Sequence, residues 1–399
     1  MTSKYIVLRS KSSARHTARS SDFTYNDSLL STVPLEITSP IPDAQFTVQV
    51  ETINRNEVDG LLQEADVQGV APAMPLRLIA PTDVRATTSS EKSPVAWGIA
   101  AVGADRSAFT GRDIVVAVLD TGIDAAHPAF EGIKLIQRNF TDDAPEDLHG
   151  HGTHCAATIF GRDIDGQRIG VARGVRKALI GKVLGGGGDT QSIIEAIQWA
   201  SSNGAHIISM SLGVDFPGYA KKLRESGFPE ELAISRALEA YRANVRLYES
   251  VTSLLRALAH PTLLVAAAGN ESQRKVNPRF EVAASPPATA EGIVSVAALG
   301  LTPAGLEVAS FSNTGVILSG PGVDVTSAAL GGGLVTMSGT SMAAPHVAGV
   351  AALWAEKILR NNQLTLRTLT GRVIGSTTTD GFAPGSDPYD FGAGLVSAP

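Results

Sequence analysis

From residue 97 onward the apolar positions fall into short unbroken runs, with segments of helical period between them. The runs at 114–119, 179–184, 207–212, 263–268 and 293–298 lack the in-out alternation of a strand with one wet face. This pattern predicts parallel strands buried on both sides. With helices between the runs, it predicts an α/β fold with a doubly wound, mainly parallel sheet. Functional residues should then lie beyond the carboxyl ends of the strands. Before residue 81 the rhythm differs. Short strands at 4–8 and 46–51, a helical run at 56–65 and a strand at 67–71 predict a small α+β module. Residues 87–92 are small and polar and read as a flexible linker.

One connection is longer than the layer needs. Within 229–260, Ile234, Leu238, Tyr241, Val245, Tyr248, Val251, Leu255 and Leu258 are spaced three and four apart. They predict one apolar stripe on a helix of roughly 30 residues, about 45 Å long. Either it packs along the domain and the N-terminal module, or it projects beside the cleft and selects a partner or substrate.

At 399 residues the chain can bury a large domain plus a smaller one. Its formal charge of -6, with both signs mixed, gives no reason to expect nucleic acid or an acidic membrane as partner. No apolar run approaches the roughly 20 residues that span a bilayer. A single cysteine, Cys155, rules out an intrachain disulfide framework. The first residues carry Lys4, Arg9, Lys11, Arg15 and Arg19 without an acid, which superficially suits a transit peptide. Tyr5-Ile6-Val7-Leu8 reads instead as a strand that starts at once, and a cytoplasmic protein is expected.

Four segments carry candidate chemistry. Asp120 closes the run 114–119 and precedes Thr121-Gly122, where a carboxylate can orient a histidine. The same tripeptide also occurs in aspartic proteases and in plain turns. His149, His151 and His154 stand within His149-Gly150-His151-Gly152-Thr153-His154-Cys155, which supports two chemistries. The three imidazoles can hold zinc for a metal-dependent hydrolase, although Thr153 replaces the aspartate such motifs place before the last histidine. Alternatively, His151 is a general base at the head of a helix and His154 packs on that helix. Asn270 follows an apolar run and Gly269, so its amide either faces a cleft or closes a turn. Finally, Ser341 sits between Gly339 and a helix of small residues, with Pro345 placed in the first turn. A serine needs a base and an oxyanion partner to act as a nucleophile. The free N–H groups of a helix start supply part of that. Alone, the segment also suits a buried helix cap.

Taken in order, Asp120-Thr121-Gly122-Ile123-Asp124, His151-Gly152-Thr153-His154, Ala267-Ala268-Gly269-Asn270 and Gly339-Thr340-Ser341-Met342-Ala343-Ala344-Pro345-His346 resemble the motifs of the subtilisin family of serine proteases. The similarity runs over roughly residues 94–395. It implies a serine endopeptidase with Ser341 as nucleophile, His151 as base and Asp120 as orienting acid. Asn270 and the Ser341 N–H would form the oxyanion hole. Substrate would lie as an extended strand between Leu184, Gly185, Gly186, Gly187 and Gly188 on one side and Ser211, Leu212 and Gly213 on the other. Ala268 and Gly269 would flank the pocket. Glu271 at its mouth would favour basic or polar side chains, and Ala283-Ala284-Ser285 would line a roomy wall.

The resemblance also implies a self-processed zymogen. Residues 1–85 would be a ferredoxin-like propeptide acting as an intramolecular inhibitor, 86–93 the linker and processing region, and 94–399 the catalytic domain with a helical insertion at about 214–262. Cleavage is expected between residues 78 and 92. A permanently attached accessory domain is the other reading of the first module. No cofactor is required. Family members often bind calcium through an aspartate after a His-Pro pair, but here the stretch is His127-Pro128-Ala129-Phe130, with Ala129 in that place. Asp163 and Asp165 lie in a following loop and either bind an ion or are solvated. Cys155 resembles the branch that includes proteinase K and reads as a small buried residue near the base. The expected partners are a protein or peptide substrate and the chain's own N-terminal module, with the protein a monomer. A catalytically silent scaffold that binds extended peptides is a third reading.

Overall fold

The computed structural model describes residues 2–10, 46–86, 93–186 and 188–399. The linker at 87–92 and Gly187 of the expected substrate edge lie outside the described residues. An antiparallel sheet of order β2-β1-β3 comes first, from β1 (Thr2–Ser10), β2 (Phe46–Asn54) and β3 (Val67–Pro72), with the short helix α1 (Val58–Leu62) between the last two. The described residues thus supply three strands and one helix of the expected ferredoxin-like α+β unit. Two short strands follow, β4 (Leu76–Leu78) and β5 (Asp83–Ala86). Both pair with the body of the chain and not with the first sheet.

The body begins with α2 (Trp97–Ala101), β6 (Val115–Asp120), β7 (Lys134–Asn139), α3 (His151–Phe160), β8 (Lys177–Lys182) and α4 (Thr190–Ser202). It continues through β9 (Ile207–Met210), β10 (Leu212–Val214), α5 (Phe216–Glu225), α6 (Glu230–Arg256), β11 (Leu263–Ala267), β12 (Ile293–Thr302) and β13 (Gly305–Val308). Last come β14 (Leu318–Pro321), β15 (Val325–Ala328), β16 (Leu334–Ser338), α7 (Thr340–Leu359), α8 (Leu366–Gly375) and α9 (Pro388–Phe391). The central sheet runs β13-β12-β11-β9-β6-β8-β7, with β14 also beside β12. Only the β12–β13 pair is antiparallel among its described strands.

Both faces of the central strands of this sheet are dry, as unbroken apolar runs require. Val116 and Val118 of β6 pack with α3 and α7 on one side, while Ala117 and Leu119 pack with α4 and α6 on the other. The run at 207–212 is two strands, because β9 pairs within the central sheet whereas β10, beyond Ser211, pairs with β4. Edge strand β7, Lys-Leu-Ile-Gln-Arg-Asn, escaped the apolar pattern because its exposed side is polar.

Helix α7 lies across the sheet because small residues let it. A Cβ at Gly349 would come within 2.5 Å of Val171, and one at Gly320 within 2.8 Å of the Ala343 carbonyl. Pro345 is inside this helix rather than in its first turn, a correction with a consequence. Proline has no N–H for the carbonyl four residues back. That carbonyl belongs to Ser341, and it accepts instead from Ser211 Oγ at 3.2 Å and Cys155 Sγ at 3.3 Å. The missing helical bond thereby ties the start of α7 to α3 and to the β9–β10 junction.

The long helix also needs correcting. In its first half the buried residues are Ala233, Ala237, Ala240 and Asn244, whereas Ile234 and Leu238 are exposed. The buried stripe is rotated by one position, since alanines let α5 pack closely there. Further along, Tyr248, Val251 and Leu255 are buried as expected. Leu247 and Ser250 meet Gly69 of β3, so α6 is a seat for the N-terminal sheet. Buried Asn244 joins three elements at this seat. Its Nδ2 donates to the carbonyls of Pro72 (3.0 Å) and Ala240 (2.9 Å), and its Oδ1 accepts from Thr190 Oγ1 (2.7 Å). The packing reading of this helix matches these contacts. Leu247→Ala is expected to cost about 2–5 kcal/mol of stability, measured by urea denaturation.

Candidate active site

Asp120 stands at the carboxyl end of β6, and His151 opens α3. The turn into α3 uses Gly150 at φ 84°, which a side chain would strain. Gly152 is needed for a different reason, because a Cβ there would overlap the Gly122 carbonyl. With helix and strand so close, His151 Nδ1 lies 2.7 Å from Asp120 Oδ1, and the Thr121 N–H donates to the same oxygen at 2.7 Å. Both side chains are buried. Burial pushes the His151 imidazole down, but the Asp120 charge and hydrogen bond outweigh it and hold the pKa well above 6.5.

Asp147 escaped the sequence reading. Its buried Oδ1 accepts from Thr121 Oγ1, the His149 N–H and the Gly150 N–H, each at 2.9 Å. Its Oδ2 accepts from the Thr153 N–H (3.0 Å) and Thr153 Oγ1 (2.7 Å). Thr121 Oγ1 in turn accepts from the Gly152 N–H at 2.9 Å, closing the network between the Asp120 turn and α3. Burial raises the Asp147 pKa, yet these hydrogen bonds bring it below its ordinary value. An aspartate three residues ahead of a glycine turn is the signal that was available.

Ser341 is buried at the second position of α7. Its neighbour Thr340 fixes Asn270. Asn270 Oδ1 accepts from both the N–H and Oγ1 of Thr340, each at 2.9 Å, which leaves Nδ2 as the atom facing the cleft. Gly269 makes the turn at φ +115°, and its N–H donates to Thr340 Oγ1 at 3.1 Å.

The cleft between these groups holds the chain's own residues 73–86. The Thr190 N–H donates to the Met74 carbonyl at 3.1 Å, and the Leu76 N–H to the Gly188 carbonyl at 3.2 Å. Strand β4 pairs antiparallel with β10, with Leu78 opposite Leu212 and Arg77 opposite Gly213. Ser341 Oγ then donates to the Ile79 carbonyl at 2.8 Å, and Asn270 Nδ2 to the Ala80 carbonyl at 2.9 Å. Beyond them the Thr82 N–H donates to the Ser338 carbonyl at 2.8 Å, and β5 pairs with β16. His151 Nε2 is buried without a partner.

Not every expected edge residue touches this strap. The Leu184 N–H donates to the Asp120 carbonyl, and the Gly186 N–H to Asp143, whose carboxylate also crowds Gly185. Those residues shape the loop, and Gly188 makes the contact. Ser211 holds the Ser341 carbonyl rather than the strap. Ala268 is buried behind the Asn270 turn.

The histidine cluster does not converge. His154 is turned into the core, where Nε2 bonds the Val325 carbonyl at 3.1 Å and burial pushes its pKa down to about 3. His149 is exposed, its ring centroid 6.1 Å from that of His151. Among the described residues, the one grouping of His, Cys, Asp and Glu with ligand atoms in mutual reach is Asp120, His151 and Cys155. Burial raises the Cys155 thiol pKa, and its Sγ lies 3.9 Å from His151 Nδ1, a packing position. The calcium stretch does not fit the ion either. His127 Nδ1 accepts from the Ala129 N–H, its Nε2 bonds the Gly333 carbonyl, and buried Ala129 offers no carboxylate. Asp163 is engaged by Arg173 at 3.1 Å.

Residues 111–394 match the model of the subtilase family. Subtilisin-like serine protease Pen c 1 of Penicillium citrinum is 34% identical over 289 residues, 67% of this chain and 61% of that protein. A thermostable alkaline protease of Halalkalibacterium halodurans is 35% identical over 318 residues, covering 76% and 72% of the two chains. An intracellular serine protease of Paenibacillus polymyxa is 38% identical over 251 residues, covering 61% and 67%. Fervidolysin from Fervidobacterium pennivorans, a keratinolytic enzyme related to subtilisin, shares the fold, with TM-score 0.63 at 20% identity. That alignment covers 100% of this chain and 60% of fervidolysin. The match spans about three fifths of Pen c 1 as well. With residues 111–394, most of the chain, matched by the family model, the chain belongs to the subtilase family.

Proposed function

We propose that this chain is a serine endopeptidase made as a self-inhibited zymogen that cuts itself at Ile79–Ala80. One observation carries the reading: Ser341 Oγ and Asn270 Nδ2 both bond carbonyls of the chain's own strap, beside a buried His151–Asp120 pair. In the reaction Ser341 Oγ attacks the scissile carbonyl carbon while His151 Nε2 takes its proton, and Asp120 holds the imidazolium in place. Asn270 Nδ2 and the Ser341 N–H donate to the oxyanion. His151 then gives the proton to the leaving amine, and water hydrolyses the acyl-enzyme by the same route in reverse.

The uncut strap is held one step short of this reaction. A reacting carbonyl presents its carbon to Ser341 and its oxygen to Asn270. Here the two groups hold consecutive carbonyls, Ile79 and Ala80. The Ser341 hydroxyl donates to Ile79 and not to His151, so the base lacks its proton donor. Pairing with β10 upstream and β16 downstream keeps the strap in this register. Turning the Ile79 oxygen toward Asn270 would make Ile79 the acyl residue and Ala80 the new N-terminus.

Intact-mass spectrometry and N-terminal sequencing test this directly. The wild-type chain is expected to yield a fragment beginning at Ala80, whereas Ser341→Ala stays whole; a processed Ser341→Ala chain would overturn the proposal. Asn270→Ala is expected to slow peptide hydrolysis about 10²–10³-fold, read as kcat at saturating substrate. The pH dependence should have two opposing parts. His151 acts as a base only when neutral, and its pKa is raised well above 6.5 in the intact chain. Processing should therefore accelerate as pH rises above 6.5. The stability drawn from the charged pair is complete below 6.5 and lost as pH rises through the raised value. The melting temperature of the Ser341→Ala chain should fall over that same alkaline interval.

A further inference from the structure

The strap carries one charged side chain where it pairs with β10, and the body of the protein meets it with two carboxylates. Arg77 forms an ion pair with Glu271 Oε1, and its second terminal nitrogen lies 3.8 Å from Asp215 Oδ1. In an extended strand Arg77 and Ile79 project to the same side, and Leu76 and Leu78 to the other. Ile79 is buried against the β10 edge near Gly213, so Arg77 falls at the rim of the pocket that Ile79 fills.

The two carboxylates are placed by the body and not by the strap. Asn313 Nδ2 donates to Glu271 Oε2 at 2.6 Å, while its Oδ1 accepts from the Glu271 N–H at 3.0 Å. That grip leaves Oε1 turned toward the cleft. Asp215 caps α5 by accepting from the Gly218 N–H at 3.1 Å. Both acids therefore keep their places when residue 77 is removed. A guanidinium spans two separated carboxylates through its fork of donors, whereas an ammonium offers a single point charge.

From this geometry we infer that Glu271 and Asp215 form a subsite for an arginine two residues before the residue whose carbonyl faces Ser341. The preferred substrates are peptides of the pattern aliphatic–Arg–aliphatic–aliphatic, of which residues 76–79 are the built-in example. The inference rests on the endopeptidase reading of the same cleft. Both acids and Arg77 are partly exposed, so the pair is screened, and its effect is a preference rather than an absolute requirement.

Internally quenched peptides of the sequence 74–86, carrying Arg, Lys, Ala or Glu in place of Arg77, test it on the full chain after self-processing. The kcat/KM for Arg is expected to exceed that for Ala by about 3–10-fold, with Lys between them and Glu lowest. The Arg-to-Ala ratio should fall toward one in Glu271→Gln and, less steeply, in Asp215→Asn, which keeps the helix cap. Should either variant misfold, the wild-type ratio itself must shrink between about 0.02 M and about 0.5 M salt. A wild-type ratio near one, or one indifferent to salt, overturns the subsite while leaving the endopeptidase reading intact. Failure to cut any of the peptides, or equal cutting by Ser341→Ala, removes both.

Discussion

A buried contact between two titratable groups, Asp120 and His151, constrains the rest of the molecule. Taking a carboxylate out of water is costly unless its lone pairs are engaged. Here the strand end brings the Thr121 N–H and the helix start brings the His151 ring to one oxygen, Oδ1, while Oδ2 is buried without a partner, so the pair depends on that single doubly engaged oxygen. The contact exists only because β6 and α3 approach closely enough for Gly152 to touch Gly122. Asp147 then fastens that approach with one carboxylate shared between the turn and the helix. The doubly wound sheet supplies the other half of the arrangement. It delivers strand ends and helix starts to a single edge, where free N–H groups favour negative charge.

The same economy appears around Ser341. Pro345 withholds the helical hydrogen bond that the Ser341 carbonyl would receive, and Ser211 and Cys155 fill that vacancy. Thr340 uses its N–H and hydroxyl to orient Asn270. Serine and amide are thus positioned by neighbours one residue away in sequence or packed directly behind them. The strap between Met74 and Ala86 takes advantage of this rigid cleft. It is held by strand pairing on both sides, and the N-terminal sheet is seated on α6 through Gly69, Leu247 and Asn244. In the proposed zymogen, inhibition needs no distortion of the machinery, only a strand whose carbonyls are out of step with it.

The features legible in the sequence were those with a strong local signature. Unbroken apolar runs located the central strands, and Asp120, His151, Asn270 and Ser341, each within two residues of a glycine, stood out because each lies at an abrupt end of a regular element. Asp147 and Thr340 were not singled out, since their work is hydrogen bonding across elements and neither type is rare in a turn. The true stripe of α6 was hidden because alanines pack against α5 while Ile234 and Leu238 face solvent. Apolarity alone does not tell a close helix contact from an exposed leucine. Strand β5 and its pairing with β16 were invisible for a related reason, because Asp-Val-Arg-Ala shows too little pattern in so short a span.

Whether the strap closes the site is read from the chemical accessibility of Ser341 before and after the strap is cut. A fluorophosphonate probe added to the wild-type protein while processing is under way, followed by intact-mass and peptide mapping, reads the stoichiometry and the site of labelling in the cut and uncut forms. Stoichiometric labelling of Ser341 is expected in the processed protein and little in the intact chain, where the strap occupies the cleft. Equal labelling of both forms, or modification at a residue other than Ser341, would contradict it.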